Sequence, residues 1–314
     1  MSQIISFTPP HPLNTAVLLL IFNRLDTTKQ VFQAIRQAKP PRLYVASDGA
    51  RVSKKDEVEK VQTVRNYIMQ NIDWECEVKT LFRDQNLGCK FAVSGAINWF
   101  FENEEQGIIL EDDCLPSQSF FWFCEELLER YRYDQRIFLI SGYNKQGKWV
   151  KENQSYIFSS LGGIWGWASW RSAWKAYDCE MKDLNEFIEI DGFENQLGST
   201  LGKIRKKQML NAKRLNATGK MSSWDFPWGY ARHKQSGLAC VPVNSLIENI
   251  GFGDEATHTF GVNRDFVKSY ELSFPLKVNE FIVPDRAYDE KFFLKDNFIK
   301  RIFRKLLMII GLKA

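Results

Sequence analysis

An α/β fold on a mostly parallel central sheet is what the first half of this sequence predicts, and three observations carry the expectation. Short apolar runs alternate with longer amphipathic ones, each apolar run stops at a polar residue, and 44% of the 314 residues are hydrophobic, enough to bury a large core. Strands are expected at about 16–22, 42–47, 76–82, 107–111 and 136–141. Asp26 can cap a helix through Ala38 that stops before Pro40 and Pro41, and residues 55–70, 88–102 and 117–131 carry three more helical patterns. Strand alternating with helix implies a parallel sheet covered on both faces. Residues 1–144 form this regular half. Residues 145–288 are less regular, with "LGGIWGWASWRSAW", a basic helical stretch over 183–220 and a second aromatic cluster, "SSWDFPWGYA". Residues 289–314 form a basic amphipathic C-terminal helix.

Composition excludes several classes. Lys and Arg number 42 against 38 Asp and Glu, a formal charge of +4 that is too slight to mark a nucleic-acid binder without a clustered patch. Cysteines at 76, 89, 114, 124, 179 and 240 form no CxxC pair and follow no secretory segment, so they read as reduced core thiols of a cytoplasmic protein. The run Ala16 to Phe22 is too short to span a bilayer and reads as the first buried strand. Residues 294–312, "LKDNFIKRIFRKLLMIIGL", place apolar and basic pairs on opposite helix faces. That pattern suits a helix lying on an anionic membrane surface, or one docked on its own domain.

In open α/β sheets ligands bind at the carboxyl ends of the strands. Those ends are polar here: Arg24 in "FNR", Asp48 and Arg51 in "SDGAR", Arg83 and Asn86 in "FRDQNLGCK", and Glu111, Asp112 and Asp113 in "EDD". Three adjacent carboxylates at a buried strand end repel one another and resist desolvation. A hard divalent cation, Mn²⁺ or Mg²⁺, removes that cost and takes one or two carboxylates plus phosphate oxygens of a ligand. Asp48 can accept from a base imide, while Arg24 and Arg83 can meet phosphate or ribose oxygens. The triplet equally suits an exposed acidic loop, or a helix start with Asp113 at the positive dipole end and Ser117 as cap.

The order "FNR", "SDG", "NLGCKFAVSGAINWFF", "GIILEDDCLPSQSFFWFCEELL", "WGWASWRSAW", "SSWDFPWGYA" and "NIGFGDEATHT" resembles the nucleotide-diphospho-sugar transferases of GT-A fold. Within them it is most similar to bacterial proteins related to N-acetylglucosaminyltransferase I, and the likeness runs over about residues 14 to 260. The resemblance implies a Rossmann-like donor half and a DxD-type acidic motif. Asp113 then ligates the divalent ion, and Glu111 and Asp112 hold metal-bound water and the donor's ribose or sugar. Arg24 and Asp48 match nucleotide contacts, and Gly88 and Lys90 lie near the diphosphate or sugar. Asp225 matches the catalytic base, with Trp224 beside the donor sugar, and His258 becomes a candidate metal ligand against its neighbours Asp254 and Glu255.

Residue chemistry alone leaves alternatives at several of these positions. Asp225 sits among aromatics that can shape an acceptor pocket, yet with Pro227 it also makes a helix N-cap signature. His258 can equally be a hydrogen-bonded structural histidine. Trp170 and Trp174, four apart on an apparent helix, are expected to face inward, and Trp165 and Trp167 to line the sugar site. The implied activity is inverting, metal-dependent transfer of a sugar, UDP-linked, to a glycan or lipid-linked glycan hydroxyl. Its rivals are Mg²⁺-dependent phosphoryl transfer or hydrolysis, and a non-catalytic nucleotide-sugar or glycan-binding module.

Overall fold

The apolar runs of the first half become strands close to the expected bounds: β1 (Val17–Ile21), β2 (Arg42–Ser47), β3 (Glu77–Phe82), β4 (Gln106–Glu111) and β6 (Ile137–Ser141). Between them lie α1 (Leu25–Ala38), α2 (Glu57–Gln70), α3 (Gly88–Asn103), a short β5 (Cys114–Pro116) and α4 (Ser119–Arg130). The computed structural model describes residues 7–149, 151, 153–251 and 267–293. The expected helix over 294–312, His258, Asp254 and Glu255 lie outside the described residues. Among the described residues no helix is long and apolar enough to cross a membrane.

An eight-stranded sheet runs in the order β3-β2-β1-β4-β8-β6-β9-β7, where β7 is Tyr156–Ser159, β8 is Trp167–Trp170 and β9 is Leu238–Pro242. Its first four strands are parallel, and antiparallel β8 joins them to a mixed half. β1 shows why both faces must be covered. Val17, Leu19 and Ile21 enter one core with Val31, Phe32 and Ile35 of α1, whereas Leu18 and Leu20 enter the other with Ile97 and Phe100 of α3. α1 turns its buried Val31, Phe32, Ile35 and Ala38 to the sheet and ends at Lys39 in the left-handed region, just before the two prolines.

The second half departs from its sequence pattern in specific ways. The basic stretch is not one helix but three: α6 (Leu184–Glu189), α7 (Gly192–Leu197) and α8 (Ser199–Ala217). The breaks fall at Asp191 and Gly198, both at positive φ, which the helical period alone does not register. Trp170 ends β8 and Trp174 belongs to the four-residue α5 (Arg171–Trp174), so they share no helix, although both are buried. Trp167 is fully buried on β8 and packs against Trp174, Trp224 and Trp228, so it lines no sugar site.

The start of α4 is capped from a distance. Ser117 is not the cap; the amides of Gln118 and Ser119 donate to Glu271 Oε1 and Oε2 at 3.0 and 2.8 Å, and Ser119 Oγ accepts from the Leu272 amide at 2.8 Å. This reciprocal exchange resembles a capping box built by two remote segments. Replacing Glu271 by Ala leaves two helix-start amides without partners and should lower stability by about 1–2 kcal/mol in urea unfolding, with secondary structure retained.

Candidate active site

Strand register places the polar residues. Leu20 of β1 is level with Glu111, Ile21 with Ser47, and Ser47 with Phe82, so the residues following β1, β2, β3 and β4 emerge along one edge. β1 pairs with β2 on one side and with β4 on the other, which makes the gap between the β1 and β4 ends the crevice where the strand order reverses. A cavity of about 460 Å³ opens there, lined by Arg24, Asp48, Arg83, Glu111, Asp112 and Asp113 with Arg51, Asn86, Cys89, Trp165, Ser222 and Asn249. Six of the ten residues singled out from sequence for donor, metal and base roles thus face one space.

Arg24 and the acids meet across the crevice. The Arg24 guanidinium donates through Nη2 to Asp112 Oδ1 and, at 3.0 Å, to Asp113 Oδ2. Burial lowers the affinity of Arg24 for its proton, but the two carboxylates outweigh it and hold the guanidinium charged. Among the described residues Glu111 has no such ion pair. Burial, then the charges of Asp113, Asp112 and Asp225, push it up to about 8. Asp112 is pushed up to about 6 by burial, with Arg24 opposing.

A second segment closes over the acids. β10 (Ile247–Asn249) pairs antiparallel with β5, and the Ile250 amide donates to the Asp113 carbonyl at 2.8 Å. Gly251 follows, held by its amide on Asn249 Oδ1 at 2.9 Å. A Cβ at Gly251 would lie 2.3 Å from Asp113 Oδ2 and 2.9 Å from Arg24 Nη1, so only glycine lets this segment approach the pair. Sequence reasoning missed Asn249 and Gly251 as site residues; the glycine-bracketed "NIGFG" was the available signal.

Asp48 is committed to its own loops. Its carboxylate accepts from the amides of Gly49, Leu87 and Gly88 at 3.0 Å and from Asn86 Nδ2 at 3.0 Å. It caps the start of α3 and ties the β2 and β3 ends together. Arg65 reinforces the tie by donating to the Ser47, Asp48 and Arg83 carbonyls. Arg83 stays in the cavity wall, its proton affinity lowered by burial and raised in part by Asp48.

Three other residues lie off the cavity wall. Lys90 is buried, with Nζ donating to Asn216 Oδ1 on α8 and 3.7 Å from Glu180. Trp224 is buried and stacks on Trp167 with ring centroids 5.7 Å apart. Asp225 opens α9 (Asp225–Lys234) as its first residue, three positions after Ser222 in the cavity wall, and its Oδ1 accepts from Ser223 Oγ. It stands close enough for its charge to act on both Glu111 and Cys89. Cys89 is pushed up to about 12 by burial and then by Glu111, Asp225, Asp48 and Asp113, so it is a thiol and no nucleophile.

The donor set fits a hard divalent cation. Among the described residues Asp112 Oδ2 is buried without a hydrogen-bond partner, and Glu111 feels the charge of Arg24 without an ion pair to it. Among the described residues no three His, Cys, Asp or Glu side chains converge as a metal cluster. The protein therefore offers one or two carboxylate oxygens and leaves the remaining positions to water and ligand phosphate, as Mg²⁺ and Mn²⁺ prefer.

The sequence matches no family model and no curated protein. Among solved structures the chain is similar to the mannosyltransferase PcManGT of Pyrobaculum calidifontis in complex with GDP-Man and Mn²⁺, at 12% identity and a TM-score of 0.33 over 52% of this chain and 46% of that one. HddC of Yersinia pseudotuberculosis matches at 8% identity and 0.31, over 50% and 77% of the two chains. A UDP-glucose pyrophosphorylase complexed with UDP-glucose matches at 12% and 0.30, over 55% and 80%. The aligned part spans less than half of the mannosyltransferase, and at these scores the likeness transfers no residue role to this chain.

Burial of Glu111 fixes a pH dependence. Its folded value of about 8 exceeds the ordinary 4.5, so between these values the folded state holds a proton that the unfolded state releases. Stability of the ligand-free protein should therefore fall as pH rises through that window. Glu111→Gln should match wild type near pH 4 and exceed it at pH 8.5 by on the order of 1 kcal/mol or more in urea titrations.

Proposed function

We propose that the protein is a metal-dependent glycosyltransferase of GT-A type that moves a sugar, UDP-linked, from a nucleoside diphosphate to a glycan hydroxyl with inversion. The observation that carries this reading is the meeting of Arg24 with Asp112 and Asp113 across the β1/β4 crevice, with the Asp225 carboxylate within electrostatic reach. Asp113, with Asp112, would hold Mn²⁺ or Mg²⁺. When bound, the ion neutralises charge that develops on the leaving diphosphate.

The chain's own residues would divide the remaining work. Arg24 and Arg83 line the cavity and would meet the diphosphate and ribose of the donor, since guanidinium groups suit phosphate oxygens. Asp48 would act on the nucleotide indirectly, by shaping the loops at the β2 and β3 ends that receive it. Trp165 offers a ring in the cavity wall to a sugar face, while Trp224 supports the floor from within the core. With Oδ1 of Asp225 accepting from Ser223, Oδ2 is left to take the proton of an acceptor hydroxyl as it attacks.

Two substitutions separate donor binding from chemistry. Asp113→Asn should abolish the Mn²⁺-dependent thermal shift given by a nucleoside diphosphate while leaving the fold intact. Asp225→Asn should keep that shift and lower transfer to acceptor by about 10²–10⁴-fold. Release of free phosphate or nucleotide with no glycosylated product would instead identify phosphoryl transfer or hydrolysis.

A further inference from the structure

Gly229 stands in the interior of α9, where glycine costs a helix about 1 kcal/mol relative to alanine. Its neighbour explains it. A Cβ at Gly229 would lie 2.4 Å from Arg205 Nη2 and 3.6 Å from its Cζ, so the Arg205 guanidinium of α8 rests on this bare patch of α9. Asp225, Gly229 and His233 are spaced four apart and share one face of α9. Arg205 Nε donates to His233 Nε2 at 3.1 Å, one turn beyond Gly229, and Asp225 lies one turn before it. The guanidinium is therefore laid along that face with Nη2 toward the end that Asp225 occupies.

Its hydrogen bonds hold Arg205 without neutralising it. Burial and the charges of Arg205 and Arg232 keep the His233 imidazole neutral, so Nδ1 donates to Gln196 Oε1 at 3.0 Å and Nε2 accepts from Arg205. Arg205 Nη1 donates to Gln208 Oε1 at 3.2 Å. Both partners are uncharged, and among the described residues no carboxylate stands within ion-pairing distance of Arg205. Burial pulls the guanidinium down to about 10, and the charge that opposes this is that of Asp225. The same asymmetry holds from the other side. The Asp225 charge acts on Glu111, Cys89, Tyr177 and Arg205, of which only Arg205 is a cation.

We propose that Arg205 is a positioning residue of the transfer reaction: from the gap at Gly229 it supplies the positive charge that holds Asp225 as a carboxylate beside a cleft already carrying Glu111, Asp112 and Asp113. This rests on the transferase reading. A tie between α8 and α9 needs only an N–H donor for His233. A desolvated cation without an ion pair needs a further reason, and Asp225 is the anion within its reach.

The test compares wild type with Arg205→Met, Arg205→Lys, Asp225→Asn and the double variant of Arg205→Met with Asp225→Asn. In thermal unfolding the double variant should melt about 2 °C or more above the value that adding the two single losses gives, since each single change strands one charge and the double change removes both. Turnover is read as sugar released to water from UDP-N-acetylglucosamine, UDP-glucose and GDP-mannose with Mn²⁺. With a donor that wild type turns over, Arg205→Met should lower kcat about tenfold or more at unchanged KM. Arg205→Lys keeps the charge but loses the fork on His233 and Gln208, and it should recover most of that loss. Additive stability losses, or a lysine variant as slow as the methionine one, would overturn the proposal and leave Arg205 as a tie between helices. Coupled stability losses in a protein that binds no nucleoside diphosphate and turns over none of the three donors would keep the pairing of Arg205 with Asp225 and remove the transferase reading.

Discussion

Desolvation of Glu111, Asp112 and Asp113 at the end of β4 is the constraint around which the rest of this site is arranged. Carboxylates removed from water must be paired, protonated or bound to a cation, and this protein uses the first two. Arg24 pairs Asp112 and Asp113 from the facing strand end, whereas Glu111 is driven toward its protonated form. The close approach of Gly251 and the Ile250 hydrogen bond cover one side of the pair, and the acids line the cavity on the other. An incoming cation with phosphate oxygens would relieve the charge on the acids and give Arg24 new acceptors in the same step.

The cluster of polar strand ends was legible in the sequence because its signals are local. An apolar run that stops at Arg24, Asp48, Arg83 or Glu111 states both the strand and the residue that leaves it, and parallel register then brings the ends together. What Asp48 does was less legible. Its type and position suggested a nucleotide contact, but the partners that occupy it are amides of Leu87 and Gly88, and no sequence pattern announces a cap supplied by another strand. Glu271 at the start of α4 is the same case.

The second half resisted reading for a different reason. Its tryptophans were visible, but a glycine-flanked aromatic run looks alike whether the rings face a ligand or the core, and only Trp165 reaches the cavity while Trp167 is enclosed. The basic stretch was visible as charge, while its division at Asp191 and Gly198 depends on backbone angles that need tertiary contacts to hold them. Once divided, α8 packs on α9 through Arg205 and Met209, and its exposed Lys203, Lys207 and Arg214 lie on the opposite face.

The central claim is that the acids of β4 hold a divalent ion jointly with a diphosphate. It is tested most directly by electron paramagnetic resonance titration of free Mn²⁺ with the wild-type protein, with and without a nucleoside diphosphate. With Arg24 already bridging Asp112 and Asp113, the account predicts weak Mn²⁺ uptake by the protein alone and one tightly held ion per chain when the nucleotide is present, beyond what the nucleotide binds in solution. Mn²⁺ uptake that is equally tight without nucleotide, or absent with every nucleotide tried, would contradict it.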